Sequence, residues 1–540
     1  MRVLGGTVAV HAFSLALLAG AACLSVPAVA QNPDKWGAHL DLEGKLGTER
    51  NLGEGGLFLP LYQTPDTLVF GDLRMRFDDN ESHEANVGAG VRHMLSSGWN
   101  IGGYGYFDRR ESPYDNFFNQ ITVGAEALGR DVDLRVNGYW ALGDRSRAVD
   151  SLSAAEVSGT SITLRGGEER SMSGFDAEVG WRIPVFDSEA DKQLRFYVGG
   201  YRFTADDVES IQGPRARVDY TMNELPFLWE GSRLSLGAEW QHDDPRGSQA
   251  FAGIRLRIPL QREAGAPHLT AQERRMTDTV IRDIDVVTQA GAFGAAEAVT
   301  QTASGQAITV LNSAGTTGAQ MITAVAAAGA NSTVVLAGSF ATTAATQLQA
   351  GQTLTGGGIA VRSASGKIAR LSSTGATISA TGASTNGAVN AADNSTITGL
   401  TINATSSAGL GTHAVRIVNV SNVTVSNNVI TASETGSNST NGIVVSGTSS
   451  ATLTGNRITV VGNGLPTAVA AINVLATGGT TIANNTLSAS GATVNNRVVG
   501  LGAGAVINSV DSTGNVIVTG GCSNAGATGF VSFTNGTTCP

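Results

Sequence analysis

Beyond Gln301 the chain holds only three acids, Asp393, Glu434 and Asp511, and one histidine, His413. Carboxylates on a repetitive β framework raise the question of glycan cleavage. That chemistry needs two placed acids, or an arginine beside a carboxylate-bound calcium. Here the acids stand far apart in sequence, and Arg362, Arg370, Arg416, Arg457 and Arg497 are scattered among them without an acid-bearing cluster. General acid–base catalysis has no pair of groups to use, so no enzyme activity is expected. His83 and His93 lack the cysteine or helical histidine partners of a zinc site, and no metal is expected. Glycine triplets abound, yet none opens a helix after a buried strand, so no phosphate loop or cofactor is expected. The remaining reactive groups are cysteines. With Cys23 in the leader, Cys522 and Cys539 are left as a pair, and a disulfide closing a short C-terminal loop follows in an oxidising compartment.

The elements that carry these residues belong to an exported protein. Residues 1–30 read as a signal peptide: Arg2, an apolar run from Ala12 to Ala22, and Ala28-Val29-Ala30 before Gln31. Gly20-Ala21-Ala22 ahead of Cys23 lacks the leucine usual at a lipid-anchor site. No later apolar run reaches the length of a membrane helix. The net charge of −10 argues against a nucleic-acid partner. All six tryptophans and all eight tyrosines precede Glu273, whereas the chain after it is rich in Ala, Gly, Ser, Thr, Asn and Val.

From Trp36 to about Leu260 the apolar residues alternate. Leu73, Met75 and Phe77 oppose Asp72, Arg74 and Arg76, and Val132, Leu134, Val136, Gly138 and Trp140 oppose Asp133, Arg135, Asn137 and Tyr139. Period two places one apolar and one charged or glycine-bearing face on each strand. About twelve such segments occur, each near the length of a tilted strand that crosses a membrane. Trp99, Trp140, Trp229 and Trp240, with Phe117 and Phe203, stand near segment ends as an expected interfacial aromatic girdle. Connections alternate between tight and long, Leu142 to Ser173 being the longest. Outer-membrane barrels have short inner turns and long outer loops. A soluble β-sandwich is the alternative; its faces would not mix glycine with arginine and carboxylate.

DLRMRFDDNESHEANVGAGVRHML, GWNIGGYGYFDRRESPYDNFFNQITVGAEAL and DVDLRVNGYWAL resemble the β-domain of inverse autotransporters, the intimin and invasin type. Tyr106-Phe107-Asp108, then Gly124-Ala125-Glu126, then the Asn137-Gly138-Tyr139 strand carry the likeness. The resemblance implies a twelve-stranded outer-membrane barrel over residues 31–262 that exports its own C-terminal passenger. Almost nothing separates Gln31 from Trp36, which implies that the family's periplasmic peptidoglycan-binding module is absent.

An even number of strands returns the chain to the side where it began, so a passenger reaches the other side only through the lumen. Residues 263–290 are the expected connector, and Glu273–Val287 its plug, with a solvated interdomain linker as the alternative. Arg274, Arg275, Met276, Val280, Arg282, Asp283, Ile284 and Asp285 are the plug candidates. Met276, Val280, Ile284 and Val287 have helical spacing, while Ile284 and Val286 also alternate with Asp283 and Asp285, leaving helix and extended chain both open.

Residues 291–347 are expected to form a cap or transition, with a helix or capping turn near Ala319–Ala330. Residues 348–520 are the expected passenger, in which a loose repeat recurs from Ser395: STITGLTINA, NVTVSNNVITA, ATLTGNRITV, TTIANNTLSA and SVDSTGNVIVTG. Its period of roughly 28 to 30 residues predicts a β-helix, and its pattern resembles right-handed parallel β-helix passengers. Gly399, Asn428, Asn456, Asn485 and Asn515 take equivalent places, and stacked asparagine amides can bond their neighbours above and below. Residues 521–540 are the expected C-terminal cap.

The whole is expected to be an all-β protein of the outer membrane with its passenger at the cell surface, probing an unidentified ligand: a glycan, a protein or another copy. Its other expected partners are outer-membrane lipid and the barrel-assembly and export machinery. A porin-like channel with a periplasmic tail and a polysaccharide-active enzyme are the rival readings.

Overall fold

The computed structural model describes residues 35–225, 228, 231–260, 269–283, 285–381, 387–406, 411–434, 439–462 and 468–539. The expected leader with Cys23, and also Trp229, Pro267 and Ile284, lie outside the described residues.

Twelve antiparallel strands close into a barrel: His39–Gly47, Leu52–Gln63, Thr67–Asp78, His83–Met94, Asn100–Glu111, Phe117–Leu128, Val132–Leu142, Ser173–Ile183, Lys192–Thr204, Ile211–Asn223, Arg233–Asp243 and Gly247–Pro259. Each pairs with its neighbour in sequence. The first closes on the last, with His39 opposite Pro259 and Gly47 opposite Phe251. The alternation seen in the sequence is the barrel's inside–outside code. Leu73, Met75, Phe77, Leu134, Val136 and Trp140 are exposed on the outer wall. Asp72, Arg74, Asp133, Arg135 and Asn137 are buried in the lumen. Two lumenal glycines make room for aromatic rings: a Cβ on Gly88 would lie 2.2 Å from the Tyr106 ring, and one on Gly124 2.2 Å from Tyr104.

Tight turns such as 95–99 and 129–131 gather at one end, together with the start of the first strand and the end of the last. The connection 143–172, between the seventh and eighth strands, lies at the other end and is itself structured. It contains strands Ser146–Ala148, Ala154–Ser158, Ser161–Arg165 and Glu168–Ser171.

The C-terminal half is a parallel β-solenoid of three sheets, of eight, seven and seven strands. Parallel pairing begins with Ile308–Asn312 on Thr333–Ala337, ahead of Leu348, the expected start of the passenger. The earliest coils carry apolar strands without the asparagine repeat, so the repeat understates the solenoid. Helix Gly318–Ala328, opened by a Thr317–Gln320 capping box, buries Met321 and Val325 against the first coils. This is the helix that the alanine-rich stretch suggested.

Inside the coils, Ile402, Ile430, Ile458 and Leu487 stack as one column of a dry core. At the far end Gly521–Asn524 covers the edge of Asn495–Leu501. Cys522 is bonded to Cys539, their Cα atoms 5.7 Å apart, and Val531, Phe533 and Cys539 are buried in the solenoid core.

Candidate functional site: the plugged lumen

The connector enters at the tight-turn end as a short helix, Ala271–Arg274, fixed by a capping box between Thr270 and Glu273. There Glu273 Oε1 meets Lys35 Nζ at 2.6 Å, and Trp36 Nε1 donates to the Glu273 carbonyl at 2.9 Å. Burial works against the charge on Glu273, but hydrogen bonds from Lys35 and from the Thr270 N–H hold its carboxyl below the usual carboxylate range. Asn100 Nδ2 donates to Gln272 O at 2.8 Å. A 3-10 turn, Arg275–Thr277, follows.

From Asp278 to Val287 the described residues are in neither helix nor strand and run on through the lumen. The helical spacing of Met276, Val280 and Val287 is therefore not a helix face. Only the first turns are helical, because the lumen wall offers donors and acceptors that replace helix hydrogen bonds. Met276 and Val280 still share one apolar cluster with Trp36, Phe58, Leu68, Phe70, Tyr104 and Tyr106. Val287 joins a second with Tyr139, Met172, Tyr201, Phe203 and Ile211 nearer the other end.

Each described charged group on the segment meets an opposite charge, on the barrel strands or in the segments at their ends. Arg275 makes a bidentate pair with Asp133, at 2.6 and 2.7 Å. Arg274 reaches Asp191 at 3.4 Å. Asp278 accepts from Arg233 at 2.6 Å. Arg282 pairs with Asp108 at 2.9 Å and lies over the Tyr106 ring at 4.7 Å. Asp283 accepts from Arg215, and Asp285 from Arg50 at 2.7 Å. The backbone is gripped as well. Arg92 donates to the carbonyls of Met276 and Asp278, Arg74 to Val280, and Arg110 to Val286. These contacts climb from turn 129–131 to the loop end. A charged cavity of about 150 Å³ remains beside the segment, with Asp41, Glu43, Arg255 and Arg257 in its wall.

The wall partners carried their own signal, since Asp72, Arg74, Asp108, Asp133 and Arg215 are the polar members of alternating strands. What alternation could not give is the pairing across the lumen. Trp36, where the alternating stretch begins, is 1 % exposed and lies inside. It precedes the first strand, where the chain crosses the mouth. Phe203, expected in the girdle, is buried inside. Trp140 and Trp240 face outward, Trp99 is half-buried in a tight turn, and Trp181 joins the outward aromatics.

In the solenoid the asparagines form a buried stack. Asn428 Nδ2 donates to Asn456 Oδ1 at 3.0 Å, Asn456 to Asn485 at 3.0 Å, and Asn485 to Asn515 at 3.1 Å. Each Oδ1 also accepts the backbone N–H one coil back, as Asn456 does from Asn428 N at 3.1 Å. Gly399 does not occupy this column. Leu400 does, its N–H donating to Asn428 Oδ1 at 3.0 Å. Gly399 starts the preceding column, where Gly399, Asn427, Gly455, Asn484 and Gly514 all have φ between 55° and 72°. The repeat is therefore a pair, a left-handed residue and then the stacked one.

The three passenger acids stay apart. Asp393 is exposed and accepts from Ser421 Oγ at 2.9 Å. Glu434 is buried beside Thr412 and Thr440. Asp511 lies on an exposed turn. Among the described residues no group of three or more His, Cys, Asp or Glu side chains could hold a metal ion.

Residues 32–261 match the family described as "Inverse autotransporter, beta-domain". Comparison with the curated proteins finds no match. Among solved structures, the COG4313 outer membrane channel of Pseudomonas putida F1 is 10% identical, covering 42% of this chain and 99% of its own, with a TM-score of 0.30. The NanC porin is 10% identical over 41% of this chain and 100% of its own, TM-score 0.27. The translocator domain of the autotransporter NalP from Neisseria meningitidis is 10% identical over 42% and 90%, TM-score 0.22. These scores are too low to bear on the argument, which rests on the family match and the barrel. The N-terminal part of the chain is thus an inverse autotransporter β-domain, an outer-membrane barrel, and the chain carries a parallel β-solenoid behind it.

Proposed function

We propose that the barrel anchors and exports its own C-terminal solenoid, which then stands at the cell surface as a rod for adhesion or surface interaction. One observation carries the reading: the chain leaves the last strand at the tight-turn end, crosses the lumen and emerges beside the long loop. In outer-membrane barrels the long loops face outward. The path supports an outward-facing solenoid. The filled lumen counts against an open porin-like channel, and the separated acids count against a polysaccharide-active enzyme.

The partners in this reading are outer-membrane lipid around the apolar wall, the barrel-assembly and export machinery, and a surface ligand. That ligand meets a rod whose outer faces are mostly Ser, Thr and Asn, a surface suited to a glycan, a protein or another copy of the rod. Protease added to intact cells is expected to release fragments from beyond Gly291. If the Ser/Thr/Asn-rich half is released only after the outer membrane is opened, the export reading fails.

A further inference from the structure

We propose that the long loop between the seventh and eighth barrel strands is a folding template and a one-way latch for the passenger; this extends the export reading above. Within the loop, Ala154–Ser158 and Ser161–Arg165 pair with each other in unbroken antiparallel register around Gly159, whose φ of 62° suits the turn. Such a hairpin is local and needs only the barrel to hold it, so both of its edges await partners before any passenger arrives.

The first passenger strands in the chain take those partners in order. Thr288–Gly291 pairs with Glu168–Ser171 of the loop. Ala296–Thr302 then pairs antiparallel with Ser161–Arg165, Thr163 opposite Ala298. The chain goes on to lay down the first solenoid coils before Ala360–Ser363 returns to Ala296–Thr302. Finally Ile368–Leu371 pairs with Ala360–Ser363 on one side and in parallel with the other hairpin strand, Ala154–Ser158, on the other. The result is a closed five-stranded ring, two strands from the barrel loop and three from the passenger. Ile162 and Leu164 of the loop are buried in it against Val299, Val361 and Leu371, and Val335 of the solenoid joins the same cluster.

Three physical needs meet in this ring. A parallel solenoid is built from distant pairings and nucleates slowly. Its terminal coil needs a cap, and its open strand edges need cover. The loop supplies ready edges to the first two strands after the lumen exit, Glu168–Ser171 to Thr288–Gly291 and the hairpin to Ala296–Thr302, and the ring closes only once the first coils are laid down. Retreat of the chain into the lumen would then require the ring to open. Glu297 clips the closing strands, accepting from Ser365 Oγ at 2.5 Å and pairing with Lys367 at 2.9 Å.

The test refolds the full chain in detergent micelles, with residues 154–165 either intact or replaced by a short Gly-Ser turn. Barrel formation is followed by heat-modifiable gel migration, and passenger folding by the protease resistance of the C-terminal half. The replaced loop is expected to leave barrel formation unchanged and slow passenger folding roughly tenfold, as loss of a nucleating contact does. An equal passenger rate overturns the template. A second variant, Thr163→Cys with Ala298→Cys, is oxidised on cells. A cross-link between loop and passenger is expected, and its absence overturns the docking. Micelle refolding needs no export, so a slow passenger in micelles that is never displayed on cells would sink the export reading and leave the template standing.

Discussion

The barrel and the solenoid are both made of alternating strands, turned inside out relative to each other. In the barrel the charged parity faces the lumen and the apolar parity faces out. In the solenoid Ile, Val and Leu face in, and Thr, Ser and Asn face out. The difference lies in what each wall touches. A lipid-facing wall must be apolar, so polar residues go inward, where they pair with the segment that fills the lumen. A rod in water reverses this, and its narrow interior is mainly apolar, with an asparagine column and buried polar groups such as Glu434 beside Thr412 and Thr440. Strand pattern alone fixes neither solution; the surrounding solvent does.

The strongest way to break the comparison is to put a charge into the dry side. Ile443→Asp places a carboxylate in the solenoid core, where Ile443 is fully buried. It is expected to cost more than about 4 kcal/mol and to abolish the protease-resistant passenger. The barrel counterpart is milder: Val136→Arg on the outer wall is expected to cost about 2–4 kcal/mol near the bilayer midplane. Barrel stability in a denaturant titration and passenger proteolysis measure the two. Equal tolerance of both would erase the distinction.

Next comes the wet side. Asp133→Ala leaves Arg275 buried without its bidentate partner, an expected loss of about 3–5 kcal/mol from plug seating. Planar-bilayer conductance checks it, since a loosened plug should open ion-conducting events that the parent lacks. If the variant stays as closed as the parent, the lumenal pairs do not hold the plug.

A third step compares the amide column with the hydroxyl faces. Asn456→Ala strands the N–H and side-chain amide of Asn428 and the carbonyl of Val425, all buried. A cost of about 2–4 kcal/mol is expected. Thr431→Ala on the outer face should stay within about 0.5 kcal/mol. Thermal unfolding of the passenger separates the two, and similar losses would mean that the column is decoration.

How much of this was legible in the sequence follows the same divide. Period two is a local property, so the barrel strands and the parity of Asp72 against Leu73 could be read directly. The asparagine repeat could be read for the same reason, though its phase slipped by one at Gly399 because a left-handed glycine and the stacked residue sit side by side. Contacts between distant segments left no such trace. Nothing in Arg275 names Asp133 as its partner, and nothing in Ala154–Arg165 marks it as the seat of the passenger. Phe203 was misplaced because its nearness to a strand end was weighed above its parity, which it shares with the inward Arg195, Tyr197 and Tyr201.

The smallest expected effect lies at the ring where the two regions meet. Glu297 is half-buried, and hydrogen bonds from Ser365 and Lys367 lower its carboxyl to about 2. A carboxyl lowered on folding favours the folded joint while it is ionised. That contribution is complete above its ordinary pKa of 4.5 and is lost as pH falls through about 2. Protease sensitivity of the junction is therefore expected to rise slightly between those values, and Glu297→Gln should flatten the change. A junction that loosens as the pH rises would have the wrong sign, and would place the pH-sensitive clip elsewhere in the ring.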